Sequence, residues 1–168
     1  GEVLVTGASG FTGVNLVNTL VERGEIVHVL LHNKRRIQSK IFPASVINHN
    51  YDGTYESLLN IFRNGKIEIL CHLAAKSGRW HLIQDVGNLF ASSLVLSAQL
   101  LEAAVTHGCR QAIIAGSYWQ HAYGDQRLVP NSLYAVSKIG SGYVANYYSN
   151  FWDLDAIELV LFDSYGPG

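Results

Sequence analysis

The sequence predicts an α/β chain: a doubly wound parallel sheet with helices on both faces. Three observations carry this prediction. Short β-branched apolar runs alternate with helical segments from one end of the chain to the other. The runs are apolar throughout rather than at every second residue, as in strands buried on both faces. Glycines punctuate the junction of the first run with the first helical segment. Crossovers between parallel strands are right-handed, so the alternation winds into an open twisted sheet.

Each element has its own signal. EVLVTG (2–7) is a β-branched run closed by glycine and is the predicted first strand. Residues 11–23 form a predicted helix with Leu16, Leu20 and Val21 on one face, stopped by Gly24. EIVHVLL (25–31) is the second strand and ASVINHN (44–50) a weaker third. A short helix over 54–64 leads to IEILCHLAA (67–75), the fourth strand. A long helix over 85–107 ends at Gly108, and RQAIIAGS (110–117) is the fifth strand. HAYGDQRLVPN (121–131) is the clearest loop, followed by a proline-free helix over 132–150 and a sixth strand, AIELVLF (156–162). No repeat, low-complexity segment or linker divides the chain, so residues 1–168 are expected to be one domain. The chain starts inside a strand signal and stops at DSYGPG just past another, which predicts a piece of a longer protein, truncated at its C-terminal end.

Composition narrows the function classes. At 168 residues, with 48% hydrophobic and 15% charged, the chain is long enough to bury a core and reads as soluble. A net charge of −1 argues against nucleic acid or an anionic membrane as partner. No uninterrupted apolar stretch approaches the ~20 residues of a membrane span. The opening GEVLVTGASG reads as fold rather than leader. Cys71 lies in an apolar strand pattern and Cys109 stands alone, so neither suggests a disulfide framework; a reducing cytoplasm is the expected location. The histidines (28, 32, 49, 72, 81, 107, 121) are scattered without metal-ligand spacing, and no metal is expected.

VTGASGFTG places Gly7, Gly10 and Gly13 between the first strand and the first helix. Gly7 permits a tight turn, Gly10 lets backbone approach a pyrophosphate, and Gly13 lets helix pack closely on strand. The helix tip then offers unpaired N–H groups and a positive dipole end to phosphates. A tight turn with no ligand is the competing reading. In a dinucleotide unit that prefers NAD, a carboxylate at the end of the second strand binds the ribose 2′-hydroxyl. Here Leu30, Leu31, His32 and Asn33 include none, and Lys34, Arg35 and Arg36 follow. A 2′-phosphate pairs with such cations, so NADP(H) is preferred, with NAD(H) possible. A solvated basic loop is the alternative. Asp52 after the third strand either meets the adenine edge or simply makes an Asp-Gly turn.

Tyr134 and Lys138 stand four apart on one predicted helix, and so share a face. A free tyrosine has a pKa of ~10; a fixed ammonium nearby favours the phenolate and lowers it. Taken alone, the pair is also a common sight on exposed helices. Ser117 ends the fifth strand, on the edge where ligands of open α/β sheets bind. A hydroxyl there can hold a substrate carbonyl while Tyr134 protonates its oxygen.

TGASGFTG, HLAA (72–75), Ser117, YAVSK (134–138) and YGPG (165–168), in that order over nearly the whole chain, resemble the extended short-chain dehydrogenase/reductases. These are the Rossmann-fold nucleotide-sugar epimerases, dehydratases and reductases. The resemblance implies Ser117, Tyr134 and Lys138 as the catalytic triad. It also implies a dinucleotide held by Gly7, Ser9, Gly10, Phe11, Thr12 and Gly13, by Asn33, Lys34, Arg35 and Arg36, by Asp52, by Leu73, Ala74 and Ala75, and by Tyr134 and Lys138. The 4,6-dehydratases of this family carry an Asp-Glu pair after the catalytic hydroxyl residue, whereas Tyr118 and Trp119 stand here, which argues against dehydration. The epimerases usually keep the acid after the second strand that this chain lacks. GSYWQH (116–121), NSLYAVSK and LFDSYGPG are most similar to the CDP-abequose and CDP-paratose synthases of bacterial O-antigen assembly. Those enzymes reduce a CDP-linked 4-keto-6-deoxyhexose with NADPH, although the Ser117–Tyr134 loop is short for the family. A small C-terminal domain holding the sugar would start about where this chain stops, with Asp163, Ser164 and Tyr165 near its pocket.

The expected activity is therefore NADPH-dependent reduction of a nucleotide-linked 4-keto sugar, with Tyr134 as the acid. An NAD-retaining 4-epimerase and a non-catalytic dinucleotide-sensing module are the rivals. Trp119, Gln120 and His121 are candidates to meet substrate, His121 also reading as an exposed loop residue. Trp80 and His81 either cover the nicotinamide end or serve packing. Tyr143, Tyr147 and Tyr148 are core, or the interface of a homodimer through helix 132–150.

Overall fold

The computed structural model describes residues 1–32, 41–75, 80–163 and 166. Among these, β1 (Glu2–Thr6), β2 (Ile26–His32), β3 (Ile47–Tyr51), β4 (Ile67–His72), β5 (Gln111–Ser117) and β6 (Asp155–Leu161) form one sheet in the order β3-β2-β1-β4-β5-β6. Every pairing is parallel. The order reverses at β1, so the crevice beyond the carboxyl ends of β1 and β4 is the topological switch point.

Helices α1 (Phe11–Glu22), α2 (Tyr55–Asn64) and α5 (Leu133–Phe151) lie where the periodicity predicts them. Between β4 and β5 runs one helical stretch, Ile83–Thr106. It contains α3 (Val86–Phe90), a π-helical turn (Ala91–Val95) and α4 (Leu96–Thr106). Thr54 caps α2 by accepting from Ser57 N at 3.2 Å, and Ser132 caps α5 by accepting from Ala135 N at 3.2 Å.

Strand alternation splits the core in two. Val3 and Val5 of β1 join Val17, Val27, Val29, Leu31 and Cys71 beneath α1. Leu4 turns the other way, to Leu58, Leu70, Leu100, Leu101 and Ile114 beneath α2, α4 and α5. This two-sided burial explains why the strands read as continuous apolar runs. On α1 the deepest side chain is Val17, with Leu16, Leu20 and Val21 only flanking it. Leu73–Ala75 lie outside β4, because the Ala74 N–H is taken by the Thr6 side chain, at Oγ1 and 3.1 Å, rather than by the backbone of β1. The Ile83–Thr106 stretch is long and apolar enough on average to cross a membrane, although polar side chains interrupt it. Leu96, Leu100, Leu101, Ala103 and Ala104 of it are buried in the core. Cys71 and Cys109 are free and buried, and burial pushes the Cys71 thiol up to about 11.

A buried polar chain ties the sheet to α4 and α5. Ala74 N–H donates to Thr6 Oγ1, which lies 2.6 Å from His72 Nδ1. His72 Nε2 lies 2.9 Å from Ser97 Oγ; Ser97 donates to Ser141 Oγ at 3.1 Å, and Ser141 to Ser137 O at 3.0 Å. Since the Ser97 proton is committed to Ser141, His72 is neutral and protonated at Nε2, and every group in the chain is satisfied. Burial and then the Lys138 charge hold His72 down to about 3. His72 thus contributes stability that is fully present above the unfolded value of about 6.5 and is lost as pH falls towards its folded value. The urea midpoint is expected to fall between pH 7 and pH 5, and to fall less in His72→Gln; a flat wild-type profile contradicts this.

Candidate active site

The dinucleotide end of the site is built from the β1–α1 turn. Gly7 adopts φ +68°, and a Cβ there would lie 2.6 Å from Ala74 N. A Cβ on Gly13 would lie 2.6 Å from Ala8 Cα. Both glycines are therefore required by the fold itself. Gly10 is different. It caps α1 with ordinary backbone angles, φ −79° and ψ 167°, and a Cβ there would meet only Gly7 O at 3.4 Å. The protein's own atoms leave a side chain room at Gly10, and no side chain caps the helix. Such a bare cradle fits a pyrophosphate on the helix tip. Ser9, Phe11, Thr12 and Gly13 surround it, and Gly166 reaches back to within 3.4 Å of Phe11 Cζ by its built Cβ. Leu73, Ala74 and Ala75 follow β4, and Leu73 and Ala74 back onto Gly7.

Gly10→Val is expected to leave the melting temperature within a few degrees of wild type and to weaken dinucleotide binding at least tenfold, roughly 1.4 kcal/mol. Thermal melts with parallel titrations check it. Equal loss of stability and of binding would return Gly10 to the status of a structural turn.

Of the other expected cofactor contacts, Asn33, Lys34, Arg35 and Arg36 lie outside the described residues, as do Ser164 and Tyr165. β2 ends at exposed His32, whose ring meets Tyr51 edge-on at 6.1 Å. Asp52 makes the Asp-Gly turn: its Oδ1 accepts from Thr54 N at 2.8 Å and from Thr54 Oγ1 at 2.6 Å, which holds the carboxylate below its ordinary range.

At the same edge of the sheet, Ser117 closes β5 and Tyr134 opens α5. The Ser117 hydroxyl stands close enough to the Tyr134 phenol to favour its ionised form. Trp119 stands edge-on to the Tyr134 ring, centroids 5.9 Å apart. Lys138 follows one turn later, only 2% exposed. Ser137 donates to Tyr134 O at 2.7 Å and lies 3.2 Å from Ser93 Oγ on the π turn, which braces this part of α5. Ser117 and Tyr134 thus stand together, with Lys138 one turn further along α5.

Their electrostatics differ from expectation. Burial holds the Tyr134 phenol above its ordinary range, and the group acting against that shift is Ser117 rather than Lys138. Burial drives Lys138 down to about 8, opposed by the charge of Glu158. The charge of Lys138 acts instead on His72 and Glu158.

Gln120 also departs from expectation. It does not face substrate but is 1% exposed, with its Oε1 accepting from Ser117 N at 2.6 Å. Half-buried His121 lies 3.1 Å from Arg127 O through Nδ1, while Trp80 and His81 are exposed. Tyr148 turns inward to Glu102, whereas Tyr143 and Tyr147 are exposed. Glu158 went unread in the sequence, although an acid inside AIELVLF was a visible signal. No group of three His, Cys, Asp or Glu side chains that could hold a metal forms among the described residues.

Residues 3–168 match the NAD dependent epimerase/dehydratase family. The chain belongs to this family. The UDP-glucose 4-epimerase of Mycolicibacterium smegmatis is 30% identical over 99% of the chain and 57% of its own length. Protein CapI of Staphylococcus aureus is 25% identical over 99% of the chain and 55% of its own length. The crystal structure of the UDP-glucose 4-epimerase of Thermus thermophilus, a complex with NAD, is 27% identical. It superposes with a TM-score of 0.83 over 95% of this chain and 54% of that one. The chain thus spans about half the length of the curated relatives it matches. Membership of the epimerase/dehydratase family agrees with the family expected from the motifs; none of the three relatives is a 4-ketoreductase by name, and the solved one binds NAD rather than NADP.

Proposed function

We propose that the chain is the dinucleotide-binding, hydride-transferring part of an enzyme acting at C4 of a nucleotide-linked hexose, and that its reaction is 4-epimerisation of a UDP-sugar. The observation that carries the proposal is the hydroxyl–phenol pair Ser117–Tyr134, with buried Lys138 one turn on, at the edge that also presents the bare α1 tip. The epimerase relatives supply the substrate class. Sequence beyond these residues would complete the sugar site.

A bound nicotinamide dinucleotide supplies reversible hydride acceptance. The chain's residues do the remainder. Gly10 and the N–H groups of α1 would hold the dinucleotide's phosphates. Tyr134 takes the proton of the sugar 4-hydroxyl on oxidation and returns it on reduction. Ser117 orients that oxygen and, standing beside the phenol, eases its ionisation. Lys138 offers a positive charge behind the phenol, sheltered from water.

Net reduction of a 4-keto sugar by NADPH is a second reading. It is favoured by β2, which ends in Leu30, Leu31 and His32 without a carboxylate, and by Lys34, Arg35 and Arg36 in the sequence. Titration with NAD+ and NADP+ separates the two. Tighter NAD+ supports epimerisation, tighter NADP+ supports reduction, and binding of neither overturns both.

A further inference from the structure

Asp155 opens β6, and a second acid, Glu158, stands inside it among apolar residues. Glu158 is half-buried, and its carboxylate lies in a slot walled by two residues without side chains. A Cβ on Gly116 of β5 would come within 2.9 Å of the Glu158 carboxyl carbon, and a Cβ on Gly142 of α5 within 2.6 Å of Oε2. Gln120 bridges this carboxylate to the site: its Nε2 donates to Glu158 Oε1 at 3.1 Å, and its Oε1 accepts from Ser117 N at 2.6 Å. Glu158 and Lys138 also attract one another. A cavity of about 310 Å³, lined in part by Gln120, Gly142, Asn146 and Glu158, opens beside the carboxylate.

We propose that Glu158 is a positioning residue of the Ser117–Tyr134–Lys138 site: through Gln120 it fixes the Ser117 end of β5, and at Gly142, one turn of α5 beyond Lys138, it sets its carboxylate against the helix that carries the buried lysine. The assignment rests on the hydride-transfer reading of the site. The other titratable groups bearing on this pair are His72 from β4, neutral in its polar chain, Tyr134 from α5 itself, and His121 beyond β5, which faces Glu158. The Ile83–Thr106 stretch presents the hydroxyls of Ser93 and Ser97 to this part of α5. Glu158 is thus the negative charge set against Lys138 among the described residues. A buried carboxylate costs folding free energy unless it is paired, and two glycines are spent on accommodating this one.

Glu158→Gln keeps an oxygen to accept from Gln120 and removes only the charge; Glu158→Ala removes both. Carbon-13 resonances of lysine Cε, with Lys138 assigned by its loss in Lys138→Met, report the titration directly and need neither dinucleotide nor sugar. In Glu158→Gln the Lys138 midpoint should fall by about one pH unit, and the alkaline limb of the kcat profile should move with it while KM changes less than about twofold. Glu158→Ala should show the same shift and a further loss of about tenfold in kcat; Gln120→Ala replaces it if that variant does not fold. An unmoved Lys138 midpoint in Glu158→Gln overturns the assignment and leaves the hydride-transfer reading standing. Equal kcat in Glu158→Gln and in both alanine variants overturns the Gln120 route. A wild-type protein that transfers no hydride overturns the reading itself, whatever the lysine titration shows.

Discussion

Tyr134→Phe lowers turnover by about 10³-fold and leaves dinucleotide affinity within a factor of about two. The substitution deletes one oxygen. The ring stays edge-on to Trp119, and the helix start stays capped by Ser132. The phenol's polar neighbour is Ser117, which is itself held through its backbone by Gln120. What is lost is the group that gives and takes a proton at the sugar oxygen. Because burial holds Tyr134 above its ordinary range, the phenol is protonated at neutral pH, which suits the reductive direction directly. The loss should therefore fall on kcat and kcat/KM alike. Steady-state kinetics with parallel dinucleotide titrations check it. A variant with near-normal turnover would remove Tyr134 from the chemistry.

Lys138→Met abolishes turnover and raises stability. Lys138 titrates near 8 in the folded protein against an ordinary value of 10.5, so the folded state holds its proton less tightly than the unfolded chain. A base depressed in this way destabilises the fold while it is charged, below about pH 8. That penalty is relieved as pH rises from there to the unfolded value. Removing it is worth of order 3 kcal/mol at pH 7. Glu158 loses its counter-ion in the variant, which trims the gain. Urea unfolding at pH 7 measures the difference, and wild-type stability should climb between pH 8 and pH 10 where that of the variant does not. A less stable Lys138→Met would mean that the buried ammonium contributes to the fold rather than costing it. Gain of stability on loss of function is expected where a fold carries strain for chemistry.

Much of the fold was legible because local signals and tertiary burial agree. The strands are apolar on both faces since Val3 and Val5 pack under α1 while Leu4 packs under α2 and α4, and that pattern is already present in the letters. The positions of the serine, tyrosine and lysine in the fold were legible because each stands at an element end or on one helix turn. The electrostatics were not. Spacing says that Tyr134 and Lys138 share a face, but whether the ammonium is wet or buried depends on β6 and on Glu158, which lies 20 positions after Lys138 and meets the site only through strand pairing with β5. Gln120 looked like a loop side chain facing substrate. It points inward because the short helical turn after Ser117 folds it back onto that residue's N–H. Gly10 reads in the sequence much like Gly7 and Gly13, and only the space around a built Cβ separates it from them.

The most direct measurement follows the hydride itself. The protein is incubated with NAD+, and separately with NADP+, together with UDP-hexoses carrying deuterium at C4; the configuration at C4 is then read by NMR and the position of the label by mass spectrometry. Hexose inverted at C4 with its deuterium still on that carbon, with wild type and not with Tyr134→Phe, is the result expected, because the hydride removed on oxidation is returned to the same carbon on reduction. Hexose that keeps its C4 configuration, in samples where dinucleotide and sugar are both shown to bind, would contradict the account at its centre.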